Sequence, residues 1–400
     1  MAERFHILTL NNISPQGLKR FPGSRYTIGP HVPNPDAILV RSYNMLKMEI
    51  PASVKAIGRA GAGTNNIPVE RMTERGVPVF NTPGANANAV KELVVAGMLL
   101  AARNLVPAIR FTEGLVGDEA TLHRLIEEGK KQFAGFELPG RTLGVIGLGA
   151  IGSLVADAGI KLGMKVVGYD PEITVEAAWS LPSQVRKAHT LEELVRSADF
   201  VTVHVPLLDV TRHLIDHKLV HKMKPGAILL NFARDGVVDV EAVLAGLSEH
   251  RIKYYVTDFP HPSLVHHPAV IALPHLGAST QEAEDNCAIM VVDQVMDYLE
   301  NGNIVNSVNF PTVVMARESP YRIGVANMNV PNMVGQISTA MARAGLNIHN
   351  MLNKSRGAAA YTLVDLDSPP PPRVIEEIAA IPGVLAVRYL PAGDGHERAD

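Results

Sequence analysis

The sequence predicts an α/β protein whose central domain is a Rossmann-type doubly wound parallel sheet. Three observations carry that: a glycine turn between two apolar runs, repeated strand-helix alternation after it, and a βαββαβ order in the last quarter of the chain. The turn lies in Leu143 to Ile146, then Gly147-Leu148-Gly149-Ala150-Ile151-Gly152, a helical stretch, and Val166 to Asp170. Each glycine has its own work: Gly147 makes the tight turn, Gly149 lets the backbone approach a pyrophosphate, and Gly152 lets helix pack on strand. The pyrophosphate is expected at the helix N-terminus, where unpaired N–H groups and the positive end of the dipole face it. Asp170, ending the second apolar run, is placed to accept from ribose hydroxyls and to repel a 2'-phosphate, which favours NAD over NADP.

The elements follow in chain order. Up to about residue 95, the short apolar runs His6 to Leu10, Ala37 to Val40, Ala56 to Ile57 and Val77 to Phe80 alternate with helical or loop stretches, the pattern of a small flavodoxin-like α/β unit. From about 96 to 285 the turn is followed by further strands at Phe200 to His204, Ala227 to Asn231, Tyr254 to Thr257 and Val270 to Leu273. Thr190 and Asp239 are expected N-caps of the helices between them. A helix from Glu282 to Asn301 is placed to return the chain to the first unit over 286–315, making that unit discontinuous. From Tyr321 to Leu390, within a third domain over 318–392, strands and helices read βαββαβ, the ferredoxin-like layout, and Ala392 to Asp400 is expected to fray.

Four hundred residues, 46% hydrophobic and 19% charged, are enough for several cored domains. A net charge of -3 offers no basic stripe for nucleic acid, and no apolar run of membrane-spanning length occurs. Met1 to His6 lacks a signal-peptide pattern and Cys287 is the only cysteine, so no disulfide within the chain is possible and a cytoplasmic location is expected. No metal site is expected.

The chemistry must come from side chains at strand ends. Arg234, directly after Leu229 to Ala233, can hold a carboxylate through two parallel hydrogen bonds, or can pair with Asp235 or Asp239 at the surface. His275, after Val270 to Leu273, can take a hydroxyl proton as hydride leaves, or be structural. Asp258, ending the Tyr254 strand, can bond a nicotinamide carboxamide or cap a turn.

These segments, with Arg59-Ala60-Gly61-Ala62-Gly63-Thr64-Asn65-Asn66, Asn81 to Asn86, His204-Val205-Pro206-Leu207, Asn231 to Gly236 and Pro274 to Thr280, resemble the D-isomer-specific 2-hydroxyacid dehydrogenases over nearly the whole chain. The resemblance implies Arg234 as carboxylate anchor and His275 as acid/base. It implies NAD contacts at Ala150, Ile151, Asp170, Val205, Phe232, Ala233, Asp258 and Gly277, beside the glycines of the turn. Substrate contacts would fall at Arg41, Ser42, Gly61 and Asn86. The tail resembles the ACT domain, a small-molecule sensor on many members, with Asn329 and Asn347 where serine-binding asparagines fall, or else as turn and strand-entry residues of a tail that only builds an oligomer interface. Together these imply hydride transfer from 3-phosphoglycerate to NAD in serine biosynthesis, L-serine as an effector, and a homo-oligomer, dimer or tetramer.

Two departures stand out. The ACT loop usually has Pro-Gly where this chain has Pro331-Asn332. The family's glutamate, which pairs with the histidine, is Ser263 here, and no Glu occurs from Asp258 to His275. An uncharged neighbour stabilises imidazolium less. Three readings follow: a working dehydrogenase with Ser263 or water orienting His275, an impaired NAD-binding sensor or scaffold, or a dehydrogenase of another D-2-hydroxy acid.

Overall fold

The computed structural model describes residues 4–392; the frayed end expected from Ala392 onward lies, apart from that residue, outside them. The chain forms two compact units, one of residues up to Ala85 together with those from Gln281 on, the other Asn86–Thr280. Sequence reading set the breaks at 95 and 285. Both breaks shift because helices stay whole: Ala87–Ala102 packs on the helix Ala150–Lys161, while Gln281–Asn301 packs on the first sheet.

The first unit begins with strands β1 (Phe5–Leu10), β2 (Tyr26–Gly29), β3 (Ala37–Val40), β4 (Ala56–Arg59) and β5 (Val79–Phe80). They form a parallel sheet in the order β2-β1-β3-β4-β5, the flavodoxin-like arrangement. β3 is buried along its length, as a strand covered on both faces must be. The expected Val77 strand shrinks to β5, and β2 is a strand the apolar pattern did not reveal.

The second unit holds β6 (Thr142–Ile146), β7 (Lys165–Tyr169), β8 (Arg186–Lys187), β9 (Phe200–Val203), β10 (Ala227–Asn231), β11 (Ile252–Thr257) and β12 (Val270–Ala272). All pair in parallel in the order β12-β11-β10-β9-β6-β7-β8, the Rossmann-type sequence with its reversal between β6 and β9. Thr190 and Asp239 cap their helices through side-chain oxygens.

The tail is an antiparallel sheet of β13 (Tyr321–Met328), β14 (Ile348–Arg356), β15 (Ala359–Leu366) and β16 (Val384–Pro391), ordered β14-β15-β13-β16. One face carries Ile323, Val325, Val364 and Leu366 against the helices Met333–Arg343 and Pro372–Ala379. The other face is not open: Ala326, Tyr361 and Leu363 join the core built on Tyr298, Leu299, Phe310 and Met315. Arg322 fastens this junction. Fully buried, it makes a two-pronged bond to Asp365 (2.6 and 2.8 Å) and donates to the carbonyls of Asn301, Met315 and Ala316. In the Pro331-Asn332 departure, Asn332 adopts the left-handed conformation (φ 63°) that glycine would take most cheaply, and asparagine tolerates it better than most residues.

Candidate active site

In the second unit the expected site residues follow the carboxyl ends of adjacent strands: Asp170 after β7, Gly147 to Gly152 after β6, Val205 after β9, Arg234 after β10, Asp258 after β11 and His275 after β12. From β7 to β11 is four strand spacings, about 19 Å, a row long enough for an extended dinucleotide.

The turn is built by main-chain constraints. Gly147 has φ 87°, and a Cβ there would meet the His204 carbonyl oxygen at 2.5 Å. A Cβ on Gly152 would lie 1.8 Å from the Gly147 carbonyl oxygen, so the third glycine lets the helix close onto the turn itself. A Cβ on Gly149 would meet nothing within 4 Å, so the protein leaves that face open to a ligand. Helix Ala150–Lys161 starts at Gly149 with no side-chain cap, which leaves its first amides, those of Ala150 and Ile151 among them, for an anion. Asp170 does more than expected: its Oδ2 accepts from Leu148 N (2.8 Å) and its Oδ1 from Glu172 N (3.0 Å), pinning the turn it faces.

At the other end of the row, Asn231 braces the loop after β10, its Oδ1 accepting from Ala233 N and its Nδ2 donating to the Arg234 carbonyl. Phe232 and Ala233 are buried. Arg234 is exposed, donates to the Ala233 carbonyl (2.7 Å), and forms no ion pair with Asp235 or Asp239. Asp258 is buried; its Oδ2 accepts from Gly277 N (3.1 Å) and its Oδ1 has no partner. Burial raises the Asp258 carboxyl above its ordinary range, against the opposing pull of the Gly277 amide, His275 and Arg234, so these groups share one electrostatic neighbourhood. His275 N donates to the Asp258 carbonyl (2.9 Å), its φ is 33°, and its exposed ring leans on Phe259 at 4.9 Å. A non-glycine residue held at positive φ marks local strain, which gathers at working sites.

Ser263 does not orient His275. It is exposed, and its main-chain N–H donates to His261 Nδ1 (3.3 Å). Among the described residues no carboxylate pairs with the His275 imidazole. His204 is a residue that sequence reasoning passed over, although its motif was quoted. Its Nε2 bonds Thr202 Oγ1 (2.9 Å), its Nδ1 is shielded without a partner, and burial pushes it down to about 3. A neutral imidazole therefore backs the glycine turn.

In the first unit, Arg41 follows β3 and pairs with Glu284 (2.7 Å). The Arg41 carbonyl accepts from Arg59 Nε and Asn66 Nδ2, which ties together the carboxyl ends of β3 and β4. Ser42 is exposed beside it. Gly61 has φ 146° and its carbonyl accepts from Thr82 N (3.1 Å). Asn86 opens helix Ala87–Ala102 without capping it through its side chain. In the tail, Asn329 Nδ2 donates to the Gly357 carbonyl and Asn347 Nδ2 to Asp367 Oδ2. The two asparagines lie at opposite ends of β15, whose 8 residues extend roughly 26 Å.

An uncapped helix start, an open glycine face and an orphaned buried carboxylate oxygen fit NAD, and with an arginine and a histidine after the strands on either side of that carboxylate's strand they define an NAD-linked dehydrogenase on a doubly wound sheet. Comparison with known proteins narrows the class: the D-isomer specific 2-hydroxyacid dehydrogenase NAD binding domain matches residues 95–277. The chain belongs to the D-isomer specific 2-hydroxyacid dehydrogenase family. It is 31% identical to D-3-phosphoglycerate dehydrogenase of Haemophilus influenzae, over 86% of this chain and 83% of that protein. It is 38% identical to D-3-phosphoglycerate dehydrogenase of Methanocaldococcus jannaschii over 76% of this chain, but spans only 57% of that relative's length. Among solved structures, the NAD+-bound 3-phosphoglycerate dehydrogenase of Entamoeba histolytica aligns at 25% identity and a TM-score of 0.58, covering 76% of this chain and 99% of that one.

Proposed function

We propose that the protein oxidises the C2 hydroxyl of 3-phosphoglycerate to 3-phosphohydroxypyruvate with NAD, the opening step of the phosphorylated route to serine. The observation that carries the chemistry is the placement of Arg234, Asp258 and His275 directly after the adjacent strands β10, β11 and β12, with the His275 amide donating to the Asp258 carbonyl. Bound NAD supplies the hydride acceptor. Asp258, whose Oδ1 has no partner in the protein, would hold the carboxamide of the bound cofactor. Arg234, with one Nη on its own main chain, keeps its remaining donors for the substrate carboxylate and carbonyl. His275 takes the hydroxyl proton as the C2 hydrogen departs with its electron pair, and returns it in reverse. Arg41, Ser42, Gly61 and Asn86 are assigned to the substrate; Arg41 then shares its guanidinium between Glu284 and the anionic ligand. The relatives named for 3-phosphoglycerate support this substrate over another D-2-hydroxy acid.

One observation favours an impaired NAD-binding sensor instead: among the described residues neither Ser263 nor a carboxylate bonds the His275 ring. NADH oxidation with 3-phosphohydroxypyruvate, against glyoxylate, pyruvate and 2-oxoglutarate, separates the two. The dehydrogenase reading requires the first to give the highest kcat/KM; binding of NADH without turnover of any of the four supports the sensor.

Self-association is part of the proposal, supported by the exposed Leu99, Leu105, Ile109 and Ile126 on successive helices. L-Serine is the proposed effector. Because Asn329 and Asn347 lie far apart in one chain, a serine touching both takes them from two copies. A cytoplasmic location accords with the single cysteine, and among the described residues no single helix is long and apolar enough to cross a membrane.

A further inference from the structure

One face of the helix Gln281–Asn301 is not used by the core of the first unit. It presents Ile289, Met290, Asp293, Gln294 and Asp297 to a cavity of about 740 Å³, bounded on the far side by the Gly84–Ala85 turn and by Val305 with its neighbours. Gln294 is only 9% exposed, yet neither its Oε1 nor its Nε2 has a hydrogen-bond partner. Buried amides are almost always satisfied, so a polar side chain left bare on the wall of a cavity points to a ligand or to ordered water.

The lining decides the chemistry. Among the described residues no lysine, arginine or histidine lines the cavity, and the one cation at its edge, Arg20, is already ion-paired to Asp293, so the lining offers no free cation to phosphates or dicarboxylates. Acceptors dominate instead. Asp297 Oδ1 takes hydrogen bonds from Asn301 and Asn303 (2.9 and 3.2 Å) and has no ion-pair partner among the described residues, whereas Asp293 is ion-paired to Arg20 through its Oδ1. Asp293 and Asp297 stand one helical turn apart, about 5–6 Å between Cβ atoms, with Gln294 beside them. Ile289, Met290 and Val305 give the same cavity an apolar wall suited to methylene groups.

We infer that this cavity binds a small aliphatic amine or diamine, an ammonium group donating to Gln294 Oε1 and to the Asp297 carboxylate while its carbon chain lies on Ile289, Met290 and Val305. The inference goes beyond the dehydrogenase reading and stands without it.

Putrescine is the probe, added to the full chain at constant ionic strength, with 1,4-butanediol and succinate as the neutral and anionic compounds of the same carbon count. Putrescine is expected to raise Tm saturably and to give a binding isotherm, and the other two are not. Asp297→Asn and Gln294→Leu are each expected to weaken putrescine about tenfold or more, while KM for NADH stays unchanged. If Gln294→Leu fails to fold, Asp297→Asn alone decides. A putrescine effect that is absent, matched by butanediol, or undiminished in Asp297→Asn overturns the assignment. So does a Gln294→Leu chain that is more stable than the parent when the parent itself ignores putrescine, since water alone then serves the amide.

Discussion

Gly152→Ala tests the construction of the nucleotide turn. The added methyl group would lie 1.8 Å from the Gly147 carbonyl oxygen, 2.9 Å from its carbon and 3.3 Å from Val145 Cγ1. Carbon–oxygen contacts ordinarily lie at about 3.3–3.6 Å, so roughly 1.5 Å must be taken up by main chain, with no flexible side chain to yield. Overpacking of this kind typically costs about 1–3 kcal/mol of stability. Displacement of the helix start by about 1 Å takes the amides out of line with a bound pyrophosphate, a misplacement of the size that costs on the order of 100-fold in function. Gly149→Ala is the counterpart. Its φ of -70° suits alanine and its Cβ meets nothing within 4 Å, so the fold should be untouched and only ligand approach obstructed. Denaturant unfolding and NADH fluorescence titration measure both terms. Expected are a Gly152→Ala chain that loses stability and affinity together, and a Gly149→Ala chain that loses at least tenfold in NADH affinity, about 1.4 kcal/mol, at unchanged stability. Gly152→Ala with parental stability and affinity would refute the steric argument; Gly149→Ala with parental affinity would refute the assignment of that open face to the pyrophosphate.

Three further expectations concern charge. Ser263→Glu should supply the carboxylate that His275 lacks, moving the acid limb of the oxidation pH-rate profile to higher pH and speeding carbonyl reduction above neutrality; superimposable profiles would mean the loop is not beside the histidine. His204 is buried neutral, with a folded-state value near 3 against 6.5 when unfolded, so the unfolded chain binds the extra proton between those values and stability should fall as pH drops through that window. His204→Gln should flatten that part of the curve in urea titrations run at several pH values, and an unchanged curve would contradict the assignment. Arg322→Met should cost about 3–5 kcal/mol by leaving Asp365 buried without its partner, while Arg322→Met with Asp365→Leu should recover most of the loss in the same denaturation assay. A single substitution as mild as the double one would mean that the pair does not fasten the tail.

Much of the fold was legible because burial writes itself into sequence at the scale of single strands. β3 and β10 are buried along their whole length and stand out as unbroken apolar runs, and Thr190 and Asp239 announce the helices they cap. β2 escaped notice because its pattern mixes buried and exposed positions in only 4 residues, and β8 because two exposed residues on a sheet edge carry no apolar signal. Arg322 reads as a solvent-facing charge in an apolar strand. Its burial depends on Asp365 and on the carbonyls of the 301–316 segment, partners that no local pattern reveals. For the same reason the sequence did not show that the tail's sheet shares a core with the segment before it.

At the candidate site, residue identity was legible and hydrogen bonding was not. Asp170 was recognisable as an acid at a strand end, but its bond to Leu148 N depends on the curl of the turn. The orphaned atoms of Asp258, His204 and Gln294 are likewise three-dimensional facts: an unmet hydrogen bond has no sequence signature.

The central claim is that Arg234 and His275 act on the carbon facing the nicotinamide. Single-turnover transfer of hydride from NADH to 3-phosphohydroxypyruvate, followed by loss of NADH absorbance in the parent and in His275→Gln, measures it most directly. A transfer rate reduced on the order of 10²–10⁴-fold with NADH affinity unchanged is the predicted result. Transfer at the parental rate, or no transfer in the parent itself, contradicts the account.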